Sequence, residues 1–145
     1  MDEHPRFSNT YTIPAPVEEV WSAITQPELI SQWHLCEVAE FSPEVGGKVV
    51  FAANGEVVIQ GTITVFEPFQ QLGHTFMFTS EPYDPPTQVL FNLRPDGKGC
   101  SLRIDHTGFR NINNTYRDIY ACWPILMCGL QAMLEQRSGD QTHAA

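Results

Sequence analysis

Residues 113–136 read NNTYRDIYACWPILMCGLQAMLEQ, and this stretch decides the fold. Tyr116, Ile119, Tyr120, Trp123, Met127, Leu130 and Leu134 recur at steps of three and four, which places them on one face of an α-helix. Asn114 or Thr115 reads as the N-cap. Asp118 lies near the first turn, where a negative charge suits the helix dipole. Pro124 lacks an N–H and crowds the carbonyl four residues earlier, which predicts a kink or a short break. The apolar face stays in phase past Pro124, which favours one kinked helix over two unrelated ones. A helix this apolar and this long needs a broad surface to lie against.

The residues upstream supply that surface as strands. Phe7, Asn9, Tyr11 and Ile13 alternate with Ser8, Thr10 and Thr12, the pattern of a half-buried strand. Pro14-Ala15-Pro16 ends it, and Pro16 suits the first turn of a helix. Val17, Val20, Trp21 and Ile24 mark one helical face. Pro27 starts a second short helix with Leu29, Ile30 and Trp33 apolar. Strands are then expected at 36–42, 48–53, 56–66 and 72–80, with a two-glycine turn at 43–47 before the second of these. Asn54-Gly55 is a type I′ hairpin signal, since both central positions need positive φ. In 56–66 the alternation puts Val57, Ile59, Gly61, Ile63 and Val65 on one face, with Gly61 marking a bend or bulge. His74, Phe76 and Phe78 share a face in the next strand. Residues 81–86, EPYDPP, cannot continue a ladder and read as a loop. Val89, Phe91 and Leu93 alternate in a sixth strand, and Leu102, Ile104 and His106 share a face in a seventh. The tail from Ser138 is polar and reads as frayed. Strands flanked by helices in this order imply an α+β fold with an antiparallel sheet.

The 145 residues suffice for one domain with one core. A hydrophobic fraction of 42% and an aromatic fraction of 11% are those of a globular chain. Seventeen acidic against eight basic side chains give a net charge of −9. That excess argues against a nucleic-acid or anionic-membrane surface, which needs clustered Lys and Arg. The longest apolar run, 121–130, is about half of the ~20 residues a membrane span needs. The first ten residues, MDEHPRFSNT, carry neither a basic nor an apolar segment, so no secretory signal is expected. Cys36, Cys100, Cys122 and Cys128 show no C-x-x-C spacing, and Cys122 and Cys128 face different sides of the helix. The expectation is a cytoplasmic protein with reduced thiols.

The pieces YTIPAPVEEVWSAIT (11–25), PELISQW (27–33), the Gly46-Gly47 pair, GTITVFEP (61–68), SLRIDHTGF (101–109) and CWPILMCGLQAMLE (122–135) come in a telling order. In that order the chain resembles the START-like, or SRPBCC, superfamily. Within it, the chain resembles the branch named after the activator of heat-shock protein 90 ATPase. The resemblance covers roughly residues 7–136 and implies a single domain of helix-grip fold. In that fold a curved seven-stranded antiparallel sheet wraps around the long C-terminal helix, with two short helices between strands 1 and 2. It also implies a cavity between helix and sheet. Two features depart from the pattern: Pro124 and Gly129 within the helix, and the rigid, acidic EPYDPP at the expected cavity rim.

Trp33, Phe51, Phe76, Phe78, Phe91, Tyr120 and Trp123, with Met127, are expected to converge between sheet and helix. An aromatic and Met-rich lining with one or two polar groups is the usual form of a small-molecule site. Tyr116, Tyr120 and His106 are the expected polar groups. Strand parity points His106 inward, where a neutral imidazole could hydrogen-bond a ligand, act as a base, or serve as a satisfied core histidine. His34 and Cys36 are two candidate metal ligands, too few for a zinc site. His74 faces inward without an acidic or Cys partner beside it. No nucleophile elbow, phosphate loop or zinc-protease motif occurs. The expected function is binding of a small, mainly apolar or aromatic molecule, without cofactor or metal. The alternatives are a cyclase- or hydrolase-type enzyme and a module that stimulates a chaperone ATPase. A homodimer is compatible with all three.

Overall fold

The computed structural model describes residues 5–80 and 86–144, with the side chains of the last helix described as far as Arg137. The elements in chain order are β1 (Phe7–Ile13), α1 (Val17–Thr25), α2 (Pro27–Trp33), β2 (Glu37–Phe41), β3 (Lys48–Ala53), β4 (Glu56–Glu67), β5 (Gln71–Phe78), β6 (Thr87–Asp96), β7 (Gly99–Thr107) and α3 (Asn114–Ala144). The seven strands form one curved antiparallel sheet in the order β1-β7-β6-β5-β4-β3-β2. This is the helix-grip α+β fold the sequence implied. The loop expected at 81–86 falls, apart from Pro86, outside the described residues.

Alternation builds the inner face of the sheet. Phe7 and Ile13 of β1, Val89, Phe91 and Leu93 of β6, and Leu102, Ile104 and His106 of β7 are all buried. Phe7 pairs with His106 and Phe91 with Ile104, so the apolar rows of neighbouring strands stack side by side. Asn54 and Gly55 both take positive φ, 54° and 81°, and close the β3–β4 hairpin as a type I′ turn requires. In β4 the expected apolar row holds only in part. Ile59 and Ile63 are buried, but Val57 is exposed. The register against β5 shifts between Ile63 and Val65, and Phe66 packs into the core against Trp21 with ring centroids 5.3 Å apart. A bulge inverts strand parity beyond it, so alternation alone assigned the row one residue too early.

Gly61 lies in the long β4 where the backbones of β4 and β5 crowd together. A Cβ there would overlap the Thr75 carbonyl oxygen. Gly61→Ala is therefore expected to lower stability by about 1–3 kcal/mol, the usual cost of overpacking. The measurement is a urea midpoint at constant m, and an unchanged midpoint would show that the two strands yield freely.

The short helices bury the faces their spacing predicts: Val17, Val20, Trp21 and Ile24 in α1, and Leu29, Ile30 and Trp33 in α2. Pro16 stands at the N-cap of α1 rather than in its first turn, and Pro27 opens α2. The Trp33 indole N–H donates to Ala23 O at 2.8 Å, locking α2 onto α1.

In α3 the structure corrects three expectations, those of the cap, the C-terminal end and the buried face. The cap is Asn113, whose Oδ1 accepts the Tyr116 backbone N–H at 2.9 Å; Asp118 lies just past the first turn. As the in-phase apolar face favoured, one helix runs through Pro124 without a break. It continues to Ala144, past the expected end at 136 and through the tail expected to fray. Its buried stripe is Thr115, Ile119, Trp123, Leu126, Met127, Leu130, Met133 and Leu134, while Tyr120 is half exposed. The stripe is rotated relative to the expected one because Leu126 and Met133 complete it where Tyr116 and Tyr120 do not. Gly129 lets α3 approach α2 closely, since a Cβ there would stand 3.0 Å from Trp33 O. At the sheet edge, Tyr116 Oη donates to Arg6 O at 3.1 Å and Gln131 Nε2 to Thr12 O at 3.0 Å. These bonds occupy one carbonyl of the edge strand β1 and one just before it, which would otherwise be open to another strand.

Candidate functional site

Between α3 and the inner face of the sheet lies a cavity of about 110 Å³. Ile119, Cys122, Trp123 and Leu126 of α3 form one wall. Ile59 of β4, Phe76 and Phe78 of β5 and His106 of β7 form the opposite wall. His34, Leu35 and Cys36, between α2 and β2, border the remaining side. A smaller cavity of about 30 Å³ lies toward α2, bordered by Trp33, Phe51, His74 and Phe91 among others. His34, Phe76 and Trp123 border both. Two larger depressions, of about 480 and 680 Å³, lie elsewhere, and none of the aromatic, His106 or Met127 side chains expected to line the cavity borders either. The two smaller spaces are therefore the better candidate site, because they collect the aromatic set.

Of the residues singled out, Phe76, Phe78, His106 and Trp123 line the larger cavity. Trp33, Phe51 and Phe91 line the smaller one. Tyr116, Tyr120 and Met127 line neither. Tyr116 is spent on Arg6 O, Tyr120 packs edge-on against Phe7 at 5.3 Å, and Met127 is buried in the core. Cys122 and Leu126 were missed because the helical face was read a fraction of a turn away. The signal for Leu126 is the cleaner series 119, 123, 126, 130, 133, which omits both tyrosines; Cys122, beside Trp123, lies outside it. All four cysteines are free; Cys100 is a buried packing residue, whereas Cys128 is exposed. Cys36 and Cys122 border the larger cavity, and burial raises the pKa of both thiols, so they stay protonated.

His106 is fully buried, and both ring nitrogens are occupied. The Trp123 indole N–H donates to Nδ1 at 3.1 Å. An indole N–H can only donate, so Nδ1 is bare and the proton of the neutral ring sits on Nε2. Nε2–H therefore donates to Thr87 Oγ1 at 2.9 Å, and Thr87 Oγ1 donates on to Phe76 O at 2.8 Å. Burial, with a smaller contribution from His74, pulls the His106 pKa down to about 3. The ring has no free nitrogen to offer the cavity. A general-base role would first have to break the bond to Trp123.

His34 stacks on Phe51 with centroids 4.1 Å apart, and its Nδ1 accepts the Cys36 backbone N–H at 3.0 Å. Burial, then the neighbouring His74, lowers its pKa to about 4. His74 is buried, and its Nδ1 lies 2.7 Å from Thr75 O. Burial pushes its pKa down, outweighing that backbone bond. No Lys, Arg, Asp or Glu borders either cavity, so at neutral pH the site is uncharged. Among the described residues no group of three or more His, Cys, Asp or Glu side chains is placed to hold a metal ion. No helix among them is long and apolar enough to cross a membrane.

The model of the family described as "Activator of Hsp90 ATPase homolog 1-like protein" matches residues 14–135. No curated protein matches the chain. Among solved structures, a protein of Mesorhizobium loti is 26% identical with a TM-score of 0.77, over 91% of this chain and 98% of that one. CalU16 from Micromonospora echinospora is 25% identical with a TM-score of 0.68, over 88% of this chain and 71% of that one. The Aha1 dimer from Colwellia psychrerythraea is 16% identical with a TM-score of 0.80, over 90% and 96%, a likeness of fold alone.

Proposed function

Because the chain belongs to the family of activator of Hsp90 ATPase homolog 1-like proteins, we propose that it is a single-domain carrier of a small, mainly apolar or aromatic molecule. The observation that carries this reading is the cavity of about 110 Å³ between α3 and the sheet, walled by aromatic and aliphatic side chains. Ligand sites for drug-sized molecules run to about 300–1,000 Å³. An apolar cavity of about 150 Å³ holds benzene. At about 110 Å³ the space is smaller than that, so the occupant is at most one aromatic ring or a branched chain of similar bulk. The absence of charge along the walls favours a neutral ligand, since an isolated buried ion is costly.

The rival enzymatic reading needs His106 as a base, and its two hydrogen bonds weigh against that. The chaperone reading rests on the family's description and on a likeness of fold, and no feature of the cavity calls for it. A homodimer belongs to the same proposal as ours. The Colwellia structure is of a dimer, and sedimentation equilibrium decides whether this chain pairs too.

Native mass spectrometry of the purified protein identifies any resident molecule. Toluene calorimetry tests the site itself. Cys122 is half-buried on the cavity wall, so Cys122→Phe fills the space with little disturbance of the core. Toluene affinity is expected to fall at least about tenfold, or ~1.4 kcal/mol, while the melting temperature holds or rises. Equal toluene binding by parent and variant would overturn the reading.

A further inference from the structure

Two histidines, His34 and His74, come from distant parts of the chain, yet both border the smaller cavity. Their tautomers follow from their partners. The Cys36 backbone N–H can only donate, so Nδ1 of His34 is bare and the ring proton sits on Nε2. The Thr75 carbonyl can only accept, so Nδ1 of His74 carries its proton and Nε2 is bare. Among the described residues neither Nε2 has a protein partner. Neither is sealed away either, since no fully buried side-chain nitrogen or oxygen among them lacks a hydrogen bond. One small cavity is therefore bordered by a committed donor and a committed acceptor. Nδ1 of each ring is tied to backbone, so Nε2 is the nitrogen each ring keeps for a ligand. His34 also borders the larger, apolar cavity, so the polar pair adjoins the place where an aromatic ring fits.

We propose that this pair is the hydroxyl subsite of the ligand cavity: the ligand is a phenol or a comparable apolar alcohol. Its ring occupies the larger space, and its hydroxyl accepts from His34 Nε2–H and donates to His74 Nε2. The inference rests on the carrier reading above and sharpens it. A hydroxyl is the one small neutral group that satisfies both partners at a single atom. A carbonyl or ether satisfies His34 alone, and a methyl group satisfies neither. A carboxylate finds no cation, because both rings are neutral at pH 7 and no Lys or Arg borders the cavity.

The probes are phenol and toluene, which differ by a hydroxyl in place of a methyl, with calorimetry on the parent, His34→Asn and His74→Phe. Asparagine at 34 keeps an oxygen for the Cys36 N–H, in the manner of an Asx turn, and removes the ring N–H. The toluene-to-phenol ratio of dissociation constants is expected to fall about tenfold in each variant, the scale of one buried hydrogen bond. Should a variant fail to fold, imidazole ¹⁵N spectra of the parent read the same contact. Phenol is expected to shift both Nε2 resonances, and toluene neither. Binding of both probes with an unchanged ratio, or with silent Nε2 signals, would overturn the hydroxyl subsite and leave the carrier reading standing. Uptake of neither probe by the parent would overturn both.

Discussion

Replacing Trp123 by alanine is expected to cost about 3–5 kcal/mol of folding stability, the range for deleting a core aromatic. The indole is 6% exposed and stands where α3 meets three strands. It stacks on Phe7 of β1 at 6.2 Å and meets the edges of Phe91 of β6 at 5.8 Å and His106 of β7 at 6.1 Å. Its N–H is also the only donor given to His106 Nδ1 among the described residues. The two contributions separate in Trp123→Phe. That variant keeps most of the apolar bulk and strips the donor from a buried acceptor, which costs about 1–3 kcal/mol. Urea denaturation at pH 7 checks both variants. An unchanged midpoint and m for Trp123→Ala would show that the indole is no part of the core. A phenylalanine variant as unstable as the alanine one would assign the whole effect to the hydrogen bond.

How much of this was legible beforehand follows from what sets each feature. Strand alternation is local, so the inner rows of β1, β6 and β7, and with them the inward turn of His106, could be read directly. The β3–β4 turn could be read too, because Asn54-Gly55 carries its own backbone preference. Beyond a bulge the same rule fails, as Val65 and Phe66 demonstrate: the extra residue is decided by the pairing of β4 with β5 and leaves no local mark. The α3 face was misread by a fraction of a turn because tyrosine counts as apolar in a periodicity. Tyr116 and Tyr120 in fact sit at the border, where a ring can pack and a hydroxyl stay wet. His34 and His74 were each visible singly. Their complementary tautomers were not, since those depend on which backbone group each ring meets, and that is a property of the folded loop and of the β4–β5 pairing.

Acid is expected to undo this fold through its histidines. The His106 pKa is lowered to about 3 and the His34 pKa to about 4, in both cases mainly by burial. An unfolded histidine titrates near 6.5. Below that value the unfolded chain binds protons that the folded chain refuses, so stability falls as the pH falls. The contribution is fully present above about 6.5 and is lost progressively toward 4 and then 3. Each histidine forfeits up to about 1.4 kcal/mol per pH unit. Between pH 7 and pH 4.5 the two together forfeit about 5 kcal/mol, comparable to the whole stability of a small domain. His74, also pushed down by burial, adds to the loss. Asp105 lies outside the window. Partial burial raises its pKa, but its bonds to Arg103, Ser8 and Arg6 outweigh that and hold it below the usual carboxylate value. Its share therefore disappears only at lower pH. Urea midpoints at pH 7 and pH 4.5 measure the loss, and His34→Asn is expected to remove roughly half of the part assigned to these two rings. Equal stability at the two pH values would mean that the rings take up protons in place, and the Trp123–His106–Thr87 chain of bonds could not then be as the structure draws it.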